Sequence, residues 1–138
     1  MKFRYKNYGY SGTTGRPVLR PVIPVEVRYN NNSVRYEVLV DSGADFCIFD
    51  EQIGRLLGID INSGRKGKVF GITGKEGEDH YIHPVVVNIG GWDYKINAAF
   101  KKLSNVFYGV VGQVGFFNKF IVKFDLLKGE IELKERSN

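Results

Sequence analysis

Cysteine is almost absent: Cys47 is the only one in 138 residues. That excludes an internal disulfide and any thiolate metal cluster built within one chain. Cys47 stands in the run Phe46-Cys47-Ile48-Phe49, where a small buried hydrophobe is expected rather than a reactive nucleophile. Long hydrophobic stretches are missing as well. No segment approaches the ~20 continuous apolar residues of a membrane span, so no membrane partnership is expected. The start, Met1-Lys2-Phe3-Arg4-Tyr5-Lys6, is basic, but no apolar signal-peptide core follows it. These absences point to a complete soluble protein in the cytoplasm. There are only two histidines, His80 and His83. On a strand, positions three apart face opposite ways, so the pair is not expected to chelate one ion, and no metal or other cofactor is predicted. No internal repeat and no low-complexity tract is present.

What the chain does have is ample core material, with 43% hydrophobic residues in a length that suits one domain. Its charge of +5 is unevenly placed. Residues 1–40 hold Lys2, Arg4, Lys6, Arg16, Arg20, Arg28 and Arg35 against Glu26 and Glu37, which accounts for the whole excess. A basic N-terminal third suits an acidic partner or nucleic acid. A solvated surface explains it equally, and the aromatic residues are scattered through apolar strands rather than gathered as a base-stacking platform. Nucleic acid is therefore not expected as a partner.

Seventeen glycines and many β-branched or aromatic residues predict a mainly β domain. Residues 1–20 read as an N-terminal arm, a flexible loop around Tyr8 to Pro17, ahead of a single domain over 21–138. Pro17, Pro21 and Pro24 keep the next stretch extended and out of a central ladder until Val25. Val25 to Tyr29 alternates as a half-buried strand does; Asn30 to Ser33 turn, and Val34 to Val40 return as a strand entering the core. Asp50 to Gly58 predicts a short helix, with Ile53, Leu56 and Leu57 on one face, Asp50 as the N-cap and Gly58 at the end. Strands are expected at Lys68 to Phe70, Tyr81 to Ile89, Trp92 to Phe100 and Val110 to Gly112. Gly90-Gly91 makes a hairpin turn, and Gly71 to Gly77 a glycine-rich tip. Gly115 to Phe120 reads as a second helical turn, followed by a closing hairpin around Leu127 to Gly129.

The chemistry lies in Val38-Leu39-Val40-Asp41-Ser42-Gly43-Ala44-Asp45. An acid directly after three strand residues sits where a core strand ends, and a carboxylate there is costly unless paired or hydrogen-bonded. Ser42 can brace the local backbone, and Gly43 permits a tight turn. Taken alone, Asp-Ser-Gly also fits an Asx-type turn between strands.

This segment resembles the catalytic loop of retropepsins, the single-domain aspartic peptidases of retroviruses and their cellular and bacterial relatives. The glycine-rich tip Phe70 to Gly77 resembles that family's flap. Val110-Val111-Gly112, leading towards Phe116-Phe117, resembles its later apolar-apolar-glycine element. The resemblance covers roughly residues 25–133, and the stretch ending Leu56-Leu57-Gly58-Ile59 is more similar to cellular and bacterial members. It implies a closed β-barrel with one or two short helices and a flap hairpin. It also implies an aspartic endopeptidase that works as a homodimer on a peptide or protein substrate. With one Asp-Ser-Gly per chain, two subunits must bring Asp41 of each face to face across a two-fold axis.

The resemblance assigns Asp41 as the general acid/base, Ser42 as a brace of the loop and Gly43 as a close neighbour of substrate. Ala44, Asp45, Phe70, Gly71, Ile72, Thr73, Gly74 and Val111 become substrate-binding positions. One departure stands out. Many relatives follow the late glycine with Arg then Asp or Asn, and that arginine pairs with the acid matching Asp45; here Gln113 and Val114 stand instead. Two other readings compete: the same barrel kept as a non-catalytic peptide-binding or dimerisation module, and a small barrel binding RNA through its basic arm.

Overall fold

The computed structural model describes residues 1–69, 78–103 and 108–137. Strands β1 (Lys2–Arg4), β2 (Lys6–Tyr10) and β3 (Pro17–Arg20) come first, then β4 (Val22–Tyr29) and β5 (Asn32–Val40). Next are β6 (Ile48–Asp50), helix α1 (Glu51–Leu56), a 3₁₀ turn (Ile61–Ser63), β7 (Arg65–Val69) and β8 (Glu78–Ile89). β9 (Trp92–Lys101), β10 (Gly109–Val111), β11 (Phe120–Asp125) and β12 (Glu130–Glu135) complete the order. The fold is mainly β, as the glycine and β-branched content predicts.

Strands β4-β5-β10-β6-β9-β8 hydrogen-bond in that order, and β8 returns to β4, closing a six-stranded barrel. β7 adds to the free side of β8. Two contacts are parallel, β5 with β10 and β6 with β9, so this is no simple meander. The β4–β5 hairpin turns tightly at Asn30, whose φ of 51° is one that asparagine tolerates. The β8–β9 hairpin turns through Gly90 and Gly91, with φ of 60° and 92°, the primed-turn geometry that favours glycine.

Two prolines sit where a missing N–H costs little. β4 begins at Val22, three residues earlier than the prolines suggest, because Pro24 pairs with Glu37 before the contacts to β8 start at Glu26. Pro84 lies within β8, but β7 pairs only up to Ile82 and β4 only from Val86. Its outer side therefore has no strand to serve.

The barrel is filled by alternating side chains, among them Ile23, Val38, Phe49, Val87, Phe100 and Phe116, all fully buried. Phe49 stands edge-on to both Tyr36 and Phe100. Helix α1 rests on this core through Gly54, where a Cβ would meet Ile61 and Phe100. Leu57 is fully buried beside it, whereas Leu56 is 58% exposed rather than sharing that face. A six-residue helix seated on Gly54 turns Leu56 outward. Asp50 caps the start, accepting from the Gln52 N–H (3.0 Å), and Gly58 ends it with φ 79°.

Residues 112–119 form turns rather than a second helix. Gly115 takes φ 107°, which breaks the helical path, and a single helical bond follows, from the Phe120 N–H to the Phe116 carbonyl. Within residues 1–20, read as an arm, β1, β2 and β3 are strands and the stretch between β2 and β3 is a turn. β1 pairs with β12, which β11 flanks on its other side. β2 and β3 form a hairpin of their own. Among the described residues no helix is long and apolar enough to cross a membrane.

Candidate active site

Asp41 sits where β5 leaves the barrel. The parallel partner β10 matches Val111 to Val40, and the Asp41 N–H donates to the Val111 carbonyl (3.0 Å). The chain then turns back on itself. The Ala44 N–H donates to the Asp41 carbonyl (3.2 Å), and the Gly43 N–H donates to Asp41 Oδ1 (2.8 Å). This is the Asx geometry that Asp followed two positions later by a small residue allows. Here it serves to aim a carboxylate. One oxygen is fixed by a backbone donor; among the described residues no group donates to Oδ2.

A second segment grips this loop from residues 111–118. The Gln113 N–H donates to the Ala44 carbonyl (2.8 Å), and the Val114 N–H donates to the Asp45 carbonyl (2.9 Å). Phe46 and Val114 form a parallel bridge. The Gln113 side-chain amide donates to the Ser42 carbonyl. That contact answers the departure noted in the sequence: where relatives carry arginine, this chain braces the loop through Gln113 and the Ser42 backbone. Among the described residues no ion pair reaches Asp45. Nothing but the residue type at 113 signals this, because a bond between side chain and backbone has no sequence pattern of its own.

The structure brings Asp41, Ser42, Gly43, Ala44 and Asp45 together at one rim. Ser42, Gly43 and Asp45 are exposed, and Asp41 and Ala44 are half-buried. Val111 belongs to the site through its carbonyl, whereas its side chain is fully buried in the core. The strand alternates, so Val110, half-buried, faces the opposite way. Phe70, Gly71, Ile72, Thr73 and Gly74 lie outside the described residues.

Cys47 follows the loop but takes no part in it. It is fully buried, Sγ lies 3.7 Å from the Val114 carbonyl, and burial pushes its thiol up to about 11. Such a thiol stays protonated and unreactive near neutral pH. His80 and His83 are both buried on β8. His83 shares the inward face of Val85 and Val87 and bonds the Ile61 carbonyl (2.7 Å). His80, on the other face, packs against Phe46. Among the described residues no group of three or more His, Cys, Asp or Glu side chains is placed to hold a metal ion.

One groove of about 570 Å³, lined by residues such as Pro24, Glu26, Arg35, Glu37 and Asn88, does not include Asp41. The carboxylate instead lies half-buried at the rim of the barrel, away from that groove.

No protein-family model matches the sequence, and no curated protein matches it either. Solved structures do resemble it. A retropepsin-like aspartic protease from Rickettsia conorii is 17% identical, with a TM-score of 0.60 over 95% of each chain. The EIAV protease, solved with an inhibitor, is 23% identical with a TM-score of 0.49, over 67% of this chain and 81% of that one. A closed six-stranded barrel whose β5 ends at Asp41, matched over nearly its whole length to the Rickettsia protein, has the retropepsin-like fold.

Proposed function

We propose that this chain is an aspartic endopeptidase, active as a homodimer in which Asp41 of each subunit faces the other across a two-fold axis. The observation that carries the reading is the bond from the Gly43 N–H to Asp41 Oδ1, on a loop gripped by residues 111–114. It holds a carboxylate at fixed aim on an open rim, as general acid–base chemistry requires. One subunit supplies one such group, and peptide hydrolysis by this chemistry needs two that share a proton.

In the dimer, the ionised carboxylate takes a proton from a water molecule as its oxygen attacks the scissile carbonyl carbon. The protonated carboxyl donates to the carbonyl oxygen, giving a tetrahedral diol. A proton then passes to the amide nitrogen, the C–N bond breaks, and the products leave as a carboxylic acid and an amine. Ser42 and Gln113 keep the loop rigid through these steps. The exposed backbone of Gly43 to Asp45 offers main-chain groups to an extended peptide.

The test is cleavage of an unbiased peptide mixture from acidic to neutral pH, with wild type beside Asp41→Asn and the dimer checked by sedimentation. Cleavage by wild type alone, with a bell-shaped pH profile, is expected. Retained cleavage in Asp41→Asn would remove the assignment. No cleavage by folded, dimeric wild type would favour a peptide-binding module instead.

A further inference from the structure

The N-terminal hairpin carries a charged group that the proposed reaction does not use. β4 and β5 pair with Val22 opposite Leu39 and Ile23 opposite Val38. The Val40 N–H donates to the Pro21 carbonyl (2.9 Å), which extends that register by one position. Carried one position further, the same register would set Arg20, whose own strand pairs it with Lys6, across from Asp41. Ile23, Val25, Tyr36 and Val38 face the core, so by alternation Pro24, Glu37, Arg20 and Asp41 share the outer face. A guanidinium and a carboxylate directly opposite on one face are placed to pair.

They do not pair. Asp41 Oδ1 takes the Gly43 N–H. The Arg20 guanidinium donates to Tyr108 Oη instead. It lies 5.6 Å from the centre of the Tyr8 ring and 5.9 Å from that of Tyr108, within cation–π range of both. The two rings meet edge to face at 5.6 Å. Glu37, another carboxylate on this face, is taken by Lys6. Lys6 and Glu37 thus satisfy each other, and Arg20 rests on the two tyrosines rather than on Asp41.

We propose that Tyr8 and Tyr108 clamp Arg20 away from Asp41, and that these three residues position the charge around the catalytic carboxylate. The inference rests on the peptidase reading for its functional consequence. A guanidinium against a carboxylate favours the ionised form. In a homodimer each Asp41 would meet its own Arg20. Each guanidinium would then occupy the Asp41 oxygen that has to meet water and the scissile carbonyl.

Two measurements test the clamp. The Nε–Hε NMR signal of Arg20 reports where its guanidinium sits, with or without turnover. In wild type it should not respond to Asp41→Asn; in Tyr8→Leu/Tyr108→Leu it should move and become dependent on Asp41. Tyr108→Phe, which removes only the hydroxyl acceptor, should give a smaller shift of the same kind. Peptide cleavage by the double variant should fall about tenfold, because a bidentate guanidinium has to be displaced from Asp41 before substrate and water can reach it. Adding Arg20→Gln should restore it, which a misfolded variant could not show. An Arg20 signal indifferent to Asp41 in the double variant overturns the clamp, as does cleavage at the wild-type rate. Absence of Asp41-dependent cleavage in wild type would remove the peptidase reading, and the NMR comparison would still decide the clamp.

Discussion

Gly112 passes so close to Ala44 that a Cβ built on it would lie 2.5 Å from the Ala44 carbonyl oxygen, and 2.6 Å from that of Phe46. Both obstacles are backbone, so neither can rotate aside. Glycine is needed here for space: the segment after β10 must slide beneath the loop carrying Asp41 to reach its bonding partners. Gly112→Ala should therefore cost about 1–3 kcal/mol, the usual range for overpacking, and displace the Asp41 loop. Urea unfolding together with peptide cleavage checks this. A variant with wild-type midpoint and wild-type cleavage would show that the two segments are not locked as described.

Asp50 joins three elements through one side chain. Its Oδ2 accepts from the Gln52 N–H (3.0 Å) at the start of α1, and its Oδ1 from the Leu103 N–H (2.9 Å) just beyond β9. Asp50→Ala removes both acceptors and should cost about 1–2 kcal/mol, at the upper end for a helix cap. Asp50→Asn keeps one acceptor oxygen and should retain part of that stability. Equal unfolding midpoints for wild type and Asp50→Ala would contradict this double role.

The cap, the hairpin turns and the Asp41 loop were legible in the sequence because each is set by residues within a few positions. Asp50 precedes an apolar stripe, Gly90-Gly91 separates two alternating runs, and Asp41 follows Val38-Leu39-Val40. The pairing of residues 1–20 was not legible. β1 joins β12, whose residues lie more than a hundred positions away, and β2–β3 gains its contacts from Tyr108. Local signals there, glycine and proline around Ser11 to Pro17, describe only the tip. Which of Val110 and Val111 turns inward was not legible for a different reason. Two adjacent apolar residues do not say which faces inward until the partners on β5 and β6 fix the phase.

Burial of Cys47 has a consequence at alkaline pH. Its thiol is raised from 9.0 to about 11, mainly by desolvation. The unfolded chain therefore loses this proton first. Stability from the group is complete below about pH 9 and falls as pH rises towards about 11, by about 2–3 kcal/mol at most. Tyr36, raised from 10.0 to about 12 by burial, adds a loss that begins about one unit higher. Unfolding midpoints measured at stepped pH should show the first part of the decline abolished in Cys47→Ala. A thiol reagent at mildly alkaline pH should label wild type only as fast as it unfolds, and rapid labelling of the native protein would refute the buried assignment.

His80 makes the opposite prediction on the acid side. It is only 4% exposed, and among the described residues its Nδ1 has no hydrogen-bond partner. Its ring lies 5.2 Å from that of Phe46, directly after the Asp41 loop, and a Cβ on Gly67 of β7 would strike its Nε2. Desolvation lowers its pKa below 6.5, the nearby Lys101 lowers it further, and Asp79 opposes both. For a base so depressed, the unfolded chain takes up the proton first. Stability is full above about pH 6.5 and is lost as pH falls from there through the folded value. His80→Leu should keep the packing, remove the orphaned nitrogen and abolish this acid loss. Urea midpoints at about pH 7.5 and about pH 5 decide it: the variant should be at least as stable as wild type at the first and gain on it at the second. An equal drop in both proteins would place the acid sensitivity elsewhere. Because His80 packs on Phe46, the same protonation should loosen the Asp41 loop before the barrel unfolds, and faster amide exchange at residues 42–46 on acidification should disappear in His80→Leu.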